Sequence, residues 1–140
     1  MEKLDKLIKD LIAESETETI EFKENNFQKE EIGKLISALS NSANLLDKKN
    51  AYLVFGISDK GNVAGTKFAP KKEKIGNEFL ESWLNQMLSP KINIEILEEQ
   101  INDKNIVIFK ISPAIIQPIN FQNISYIRIG STTRKLSDFP

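Results

Sequence analysis

Near the end of the chain Tyr126 and Arg128 stand two residues apart, interleaved with Ile127 and Ile129. In an extended strand that spacing puts the ring and the guanidinium on one face and the two isoleucines on the other. Gly130-Ser-Thr-Thr-Arg-Lys135 follows at once, adding the hydroxyls of Ser131 and Thr132 and the cations of Arg134 and Lys135. An aromatic ring can stack on a base, and guanidinium, ammonium and hydroxyl groups bind phosphate oxygens, so the group reads as a nucleic-acid contact. The plainer reading is a Tyr and an Arg paired across strands on an exposed sheet face, with Arg134 and Lys135 opening a solvated segment. Lys71, Lys72 and Lys74 are a weaker candidate for backbone contact, because they read as the exposed start of a helix, where their charge opposes the dipole.

Several chemistries are excluded by composition. The 140 residues contain no Cys and no His, which removes disulfides, thiolate nucleophiles, imidazole bases and the usual zinc ligand sets. Any metal would be a hard cation held by oxygen. Gly56 and Gly61 have the outer spacing of a phosphate-binding loop, but Asn62 and Val63 stand where Lys and Ser or Thr are needed, so the pair serves a tight turn. With 19 basic and 20 acidic side chains the net charge is −1, whereas a dedicated nucleic-acid binder carries a basic excess. Binding would then rest on cations clustered on one face. No apolar run approaches a membrane span, and the charged opening Met1 to Ala13 lacks a signal peptide's apolar block, so a cytoplasmic protein with no membrane partner is expected.

The elements that must position these residues follow from periodicity. Leu4, Leu7, Ile8, Leu11 and Ile12 predict an amphipathic helix over 2–13. Thr17 to Lys23 alternates as a half-buried strand, with Ile20 and Phe22 inward and Thr19, Glu21 and Lys23 outward. Ile32, Leu35, Ile36, Leu39, Ala43 and Leu46 predict a helix over 29–46, with Asn26 or Gln28 before its acidic first turn. The apolar run Ala51 to Ile57 reads as a central strand, and Val63 to Gly65 as its return after a turn at 59–62. A helix is expected over 70–88, burying Ile75, Phe79, Leu80, Trp83, Leu84 and Met87 and stopped by Ser89-Pro90. Residues 91–100 and 105–112 form a hairpin, and a last hairpin turns at Gln122-Asn123 into a strand over Ile124 to Ile129. The fold class is therefore α+β, a mixed and mainly antiparallel sheet packed with about three helices. One domain is expected over 1–135, with the polar 136–140 starting a linker to a further C-terminal region.

Three stretches in this order carry a resemblance: Glu16-Thr-Glu-Thr-Ile-Glu-Phe-Lys23; Ile36-Ser-Ala-Leu-Ser-Asn-Ser42 with Tyr52-Leu-Val-Phe-Gly-Ile-Ser-Asp59; and Tyr126-Ile-Arg-Ile-Gly-Ser131. Together, over about residues 14–135, the chain resembles the Schlafen-type Alba-related (AlbA) domain, found at the N-terminus of bacterial transcriptional regulators and helicase-related proteins. The resemblance implies a DNA- or RNA-binding domain that needs no cofactor, with Lys23 joining Tyr126, Arg128, Ser131, Thr132, Arg134 and Lys135 as contact residues. In some eukaryotic relatives it implies a metal-dependent ribonuclease site of two glutamates and an aspartate, here Glu16, Glu21 and Asp59. Clustered carboxylates can hold Mg²⁺ or Mn²⁺, which activates water and neutralises charge developing on phosphate. Residues five apart point to opposite faces of a strand, so Glu16 joins Glu21 only if the chain bends near Thr17. The plainer roles are a solvated loop carboxylate for Glu16, a cross-strand ion pair for Glu21 and a turn residue for Asp59.

The sequence thus favours a nucleic-acid-binding module of a transcriptional regulator over a metal-dependent endoribonuclease. A third reading, a protein-interaction or oligomerisation domain, is compatible with the near-neutral charge and with a homo-oligomer.

Overall fold

The computed structural model describes residues 2–25 and 27–139 of the chain, with side chains described from Leu4 onward. Its elements in order are α1 (Glu2–Glu14), β1 (Ile20–Lys23), α2 (Lys29–Leu45), β2 (Ala51–Phe55), β3 (Lys74–Ile75), β4 (Glu78–Phe79), α3 (Leu80–Met87), β5 (Leu88–Ser89), β6 (Ile94–Ile101), β7 (Lys104–Ile111), β8 (Asn120–Phe121), β9 (Ile124–Ile129) and β10 (Thr132–Lys135). A short 3-10 turn, Leu136–Asp138, follows. The expected α+β architecture of three helices and mainly antiparallel strands is present, with the strands divided between two four-stranded sheets and the short β3–β4 hairpin.

The first sheet has the order β1-β2-β7-β6; β1 and β2 are parallel and the other pairs antiparallel. As expected, β2 is central. Its run Ala51-Tyr-Leu-Val-Phe55 has both faces to cover, and two layers cover them. On one face Val54 meets Ile8 and Leu11 of α1 together with Ile20, Phe22, Ile57, Ile106 and Ile108. On the other, Leu53 and Phe55 meet Ile32, Leu35, Ile36 and Leu39 of α2, with Trp83 and Leu84 of α3. Burial of each such side chain contributes about 1.5–3 kcal/mol.

The second sheet, β10-β9-β8-β5, is wholly antiparallel. Its strand β8 is only two residues long, so β9 outruns it beyond Ser125. The backbone groups left over are bonded by the polar face of α2. Ser37 Oγ accepts from Tyr126 N, Asn41 Nδ2 donates to Tyr126 O, and Ser42 Oγ accepts from Arg128 N. Asn41 Oδ1 also accepts from Ile119 N, while Ser37 Oγ and Asn41 Nδ2 both donate to Ile119 O. Ser37, Asn41 and Ser42 thus form a latch between helix and sheet, which explains hydroxyls and an amide on the buried side of a helix.

Of the three hairpin turns read from sequence, the last two are present with positive φ at each central pair: 51° and 63° at Asn102 and Asp103, 49° and 69° at Gln122 and Asn123. Four expectations are corrected. The helix over 70–88 is only Leu80–Met87, because Gly76 at φ +64° turns the chain into the β3–β4 hairpin; Phe79 is exposed rather than part of the buried stripe. Val63 to Gly65 is not a strand: Val63 makes one bridge to Ile57, after which the amides of Ala64 and Gly65 both bond Gly56 O. Arg134 and Lys135, whose plainer reading is the opening of a solvated segment, belong to β10, which pairs with β9. Glu21 does not face solvent, because the face of β1 opposite Ile20 and Phe22 lies under the second layer. At the start of α2, Gln28 is the cap residue but makes no side-chain capping bond; Asn26 lies outside the described residues.

Candidate functional site

Two clefts hold most of the candidate residues. The first contains Glu16, Glu21, Lys23, Asp59 and Ser131. Its geometry begins in a tight turn: Thr17 and Ile20 exchange backbone hydrogen bonds of 3.0 and 3.4 Å, so 16 and 21 become cross-strand neighbours in a miniature hairpin. Cross-strand neighbours share a face. The bend near Thr17 that the five-residue spacing requires is therefore present, and Glu16 lies back along β1, its Oε2 accepting from Phe22 N at 3.0 Å. Asp59 reaches the same cleft from beyond β2, where Gly56 at φ +104° keeps its amide on Lys23 O at 2.7 Å and turns the chain toward Ser58.

Glu21 lies deepest. Its Oε1 accepts from Arg128 Nη2 at 2.7 Å, and its Oε2 stands 3.6 Å from Lys23 Nζ. Arg128 also donates to Thr17 O at 3.2 Å, so one guanidinium holds both the carboxylate and the turn that aligns Glu16 with it. Burial pushes the Glu16 carboxyl above its ordinary value; the neighbouring charge of Glu21, a hydrogen bond with it and the charge of Asp59 act in the same direction, against the Phe22 amide. The cleft brings together all three carboxylates named from the sequence. As placed, though, no three acidic side chains among the described residues form a group able to hold a metal ion. Both Glu21 oxygens face cations, which is the arrangement of an ion pair and does not fit a ligand set for Mg²⁺ or Mn²⁺.

The second cleft, of about 410 Å³, lies between α2 and β10 and is lined by Lys34, Tyr126, Arg134 and Lys135 together with the acids Glu31 and Asp138. Arg134 and Lys135 are exposed, as Thr132 is beside them. Arg134 is only 3.7 Å from Asp138, a pair open to solvent on both sides and of little energetic weight. Lys34 Nζ lies 5.9 Å from the centre of the Tyr126 ring. Lys23, half-buried, faces the first cleft and pairs with Glu31 of the second at 3.1 Å, so the two clefts adjoin.

Tyr126 and Arg128 do share a face of β9, but it is the inward one. Arg128 is 2 % exposed and Tyr126 7 %, because α2 and β1 pack on that side, whereas Ile129 is exposed. The exposed Tyr and Arg pair read from the sequence is corrected to a buried one. Lys34 was missed: on α2 it reads as one more solvated charge, and only the position of β10 gives it cationic neighbours.

A family model described as Schlafen, AlbA_2 matches residues 16–137. No curated protein matches the chain. Among solved structures, the chain is similar to the N-terminal domain of a putative ATP-dependent DNA helicase RecG-related protein from Nitrosomonas europaea, at 24 % identity and TM-score 0.54, over 92 % of this chain and 90 % of that one. It is also similar to the DIP2311 protein from Corynebacterium diphtheriae, at 16 % identity and TM-score 0.58, over 96 % of this chain. It spans about a quarter of that protein's length, 26 %. At these identities the likeness is one of fold.

Proposed function

Starting from the chain's membership of the Schlafen AlbA_2 family, which the match over residues 16–137 establishes, we propose that it is a nucleic-acid-binding module acting in the cytoplasm as part of a larger bacterial regulator or helicase-related protein. The observation that carries the reading is the convergence of Lys34, Arg134 and Lys135 on one cleft of a chain whose net charge is −1. Clustered cations attract a phosphate backbone locally even when the total charge does not. Thr132 and Ser131 border them with exposed hydroxyls, and Lys23 stands where the two clefts adjoin. Arg128 acts in this reading by positioning, since its guanidinium is committed to Glu21 and Thr17.

Binding of single- and double-stranded DNA and RNA across a salt series tests the proposal. Affinity should fall steeply with salt, and Arg134→Ala or Lys34→Ala should weaken binding to all sequences alike, each lowering the log–log salt slope by about 0.7–0.9. Retention of no nucleic acid at low salt would reject it in favour of a protein-interaction or self-association domain.

The second reading, a metal-dependent endonuclease, is favoured by the meeting of Glu16, Glu21 and Asp59 in the first cleft. It would require Glu21 to exchange its cationic partners for a metal. Binding without turnover in the presence of Mn²⁺ is the expected result; cleavage abolished by Asp59→Ala with binding intact would promote the nuclease.

A further inference from the structure

Phe79 is 50 % exposed, although it sits between two short elements that fix its backbone. It pairs with Lys74 in the β3–β4 hairpin and immediately precedes α3, whose first amide, Leu80 N, bonds Glu73 O at 2.9 Å. A half-exposed aromatic ring offers a flat surface on which a base can stack. Beside it runs a groove of about 820 Å³ along the outer side of α3. Lys71 and Lys91 line this groove with one acid, Glu81, and Asn85 and Ser89 add polar groups. The nearby Glu78 carboxylate is occupied by Ser82 and Gln86. Lys74 Nζ lies 5.0 Å from the Phe79 ring centre but outside the lining of the groove, so it is not the group that fills it.

We propose that this groove is a second contact for single-stranded nucleic acid, with one base stacked on Phe79 and the flanking phosphates held by Lys71 and Lys91. The inference rests on the nucleic-acid reading above and adds the form of the ligand. A half-exposed ring beside lysines and amides matches a single strand, which offers a flat π face, phosphate charge and polar base edges together. In a duplex the base faces are covered by their neighbours and cannot reach the ring. Two lysines against one acid in the lining favour a phosphate backbone over a protein partner.

The test is fluorescence anisotropy of labelled oligo(dT) and of a labelled duplex, with the wild-type chain, Phe79→Ala, Phe79→Trp, the double variant Lys71→Ala/Lys91→Ala, and Arg134→Ala. Phe79→Ala should weaken oligo(dT) binding by about five- to 150-fold at an unchanged salt slope, as expected when one base no longer stacks. Phe79→Trp should bind at least as tightly as wild type, and duplex binding should not respond to either change. The lysine double variant should lower the single-strand slope by about 0.7 for each phosphate that is no longer neutralised. If Phe79→Ala binds oligo(dT) like wild type while Arg134→Ala does not, the groove proposal fails and the cationic cleft stands. If the wild-type chain binds neither probe at low salt, both fail.

Discussion

Glu21 and Arg128, 107 positions apart in the sequence, form a 2.7 Å ion pair that ties β1 of the first sheet to β9 of the second. The arginine is almost wholly enclosed, its Nε finds no partner among the described residues, and its second bond goes to the turn at Thr17. A charge enclosed in this way is tolerable only while its counter-charge is present.

Arg128→Ala should therefore act on stability before it acts on binding. Removing one member of a buried pair costs up to about 3–5 kcal/mol, and Glu21 would be left with Lys23 alone, at 3.6 Å. Thermal denaturation should show a melting temperature lower by roughly 10 °C or more for a domain of this size. A variant that melts like wild type but binds nucleic acid weakly would instead place Arg128 at the interface.

Asn41→Ala removes three hydrogen bonds and leaves Ile119 N and Tyr126 O without their partners, although Ile119 O keeps Ser37. Two buried groups left unpaired cost roughly 2–5 kcal/mol together. Amide hydrogen exchange should locate the damage. Exchange at Ile119 should accelerate more than exchange in the β6–β7 hairpin, which does not depend on the latch.

Gly33 lies where α2 crosses the second sheet, and a Cβ placed there would stand 2.0 Å from a ring carbon of Phe121. Gly33→Ala should destabilise by about 1–3 kcal/mol through overpacking, in spite of alanine's better helix propensity. Adding Phe121→Leu should cost less in the Gly33→Ala background than in wild type. Strict additivity in a double-mutant cycle by urea denaturation would show that the two sites do not touch.

Because burial and the neighbouring acids raise the Glu16 carboxyl above its ordinary value of 4.5, the folded state holds this proton more tightly than the unfolded chain does. The resulting stability is fully present below the unfolded value and is lost as pH rises through the folded one. Glu16→Gln keeps an acceptor for Phe22 N and carries no charge. It should gain stability relative to wild type as pH rises from about 4.5 toward neutrality, followed by urea denaturation at several pH values. A gap that widens on acidification would contradict the assignment.

Much of the secondary structure was legible in the order of the residues, because it depends on local spacing. The apolar stripes of α1 and α2, the doubly apolar run of β2 and the two-residue turns at Asn102-Asp103 and Gln122-Asn123 all follow from side-chain period and from residues that tolerate positive φ. The segment before α3 misled because Ile75 and Phe79 carry a helical spacing that Gly76-Asn77 breaks, and one glycine is a weak local signal. The candidate site, in contrast, was set by long-range packing. Alternation along β1 and β9 separates two faces but does not say whether the second face meets water or another layer, so Glu21 and Arg128 read as surface groups. Glu21 met Arg128 across 107 positions, and Lys34 acquired cationic neighbours from a strand about a hundred positions away. These placements depend on which distant elements pack together, a choice made by the whole core rather than by any local window.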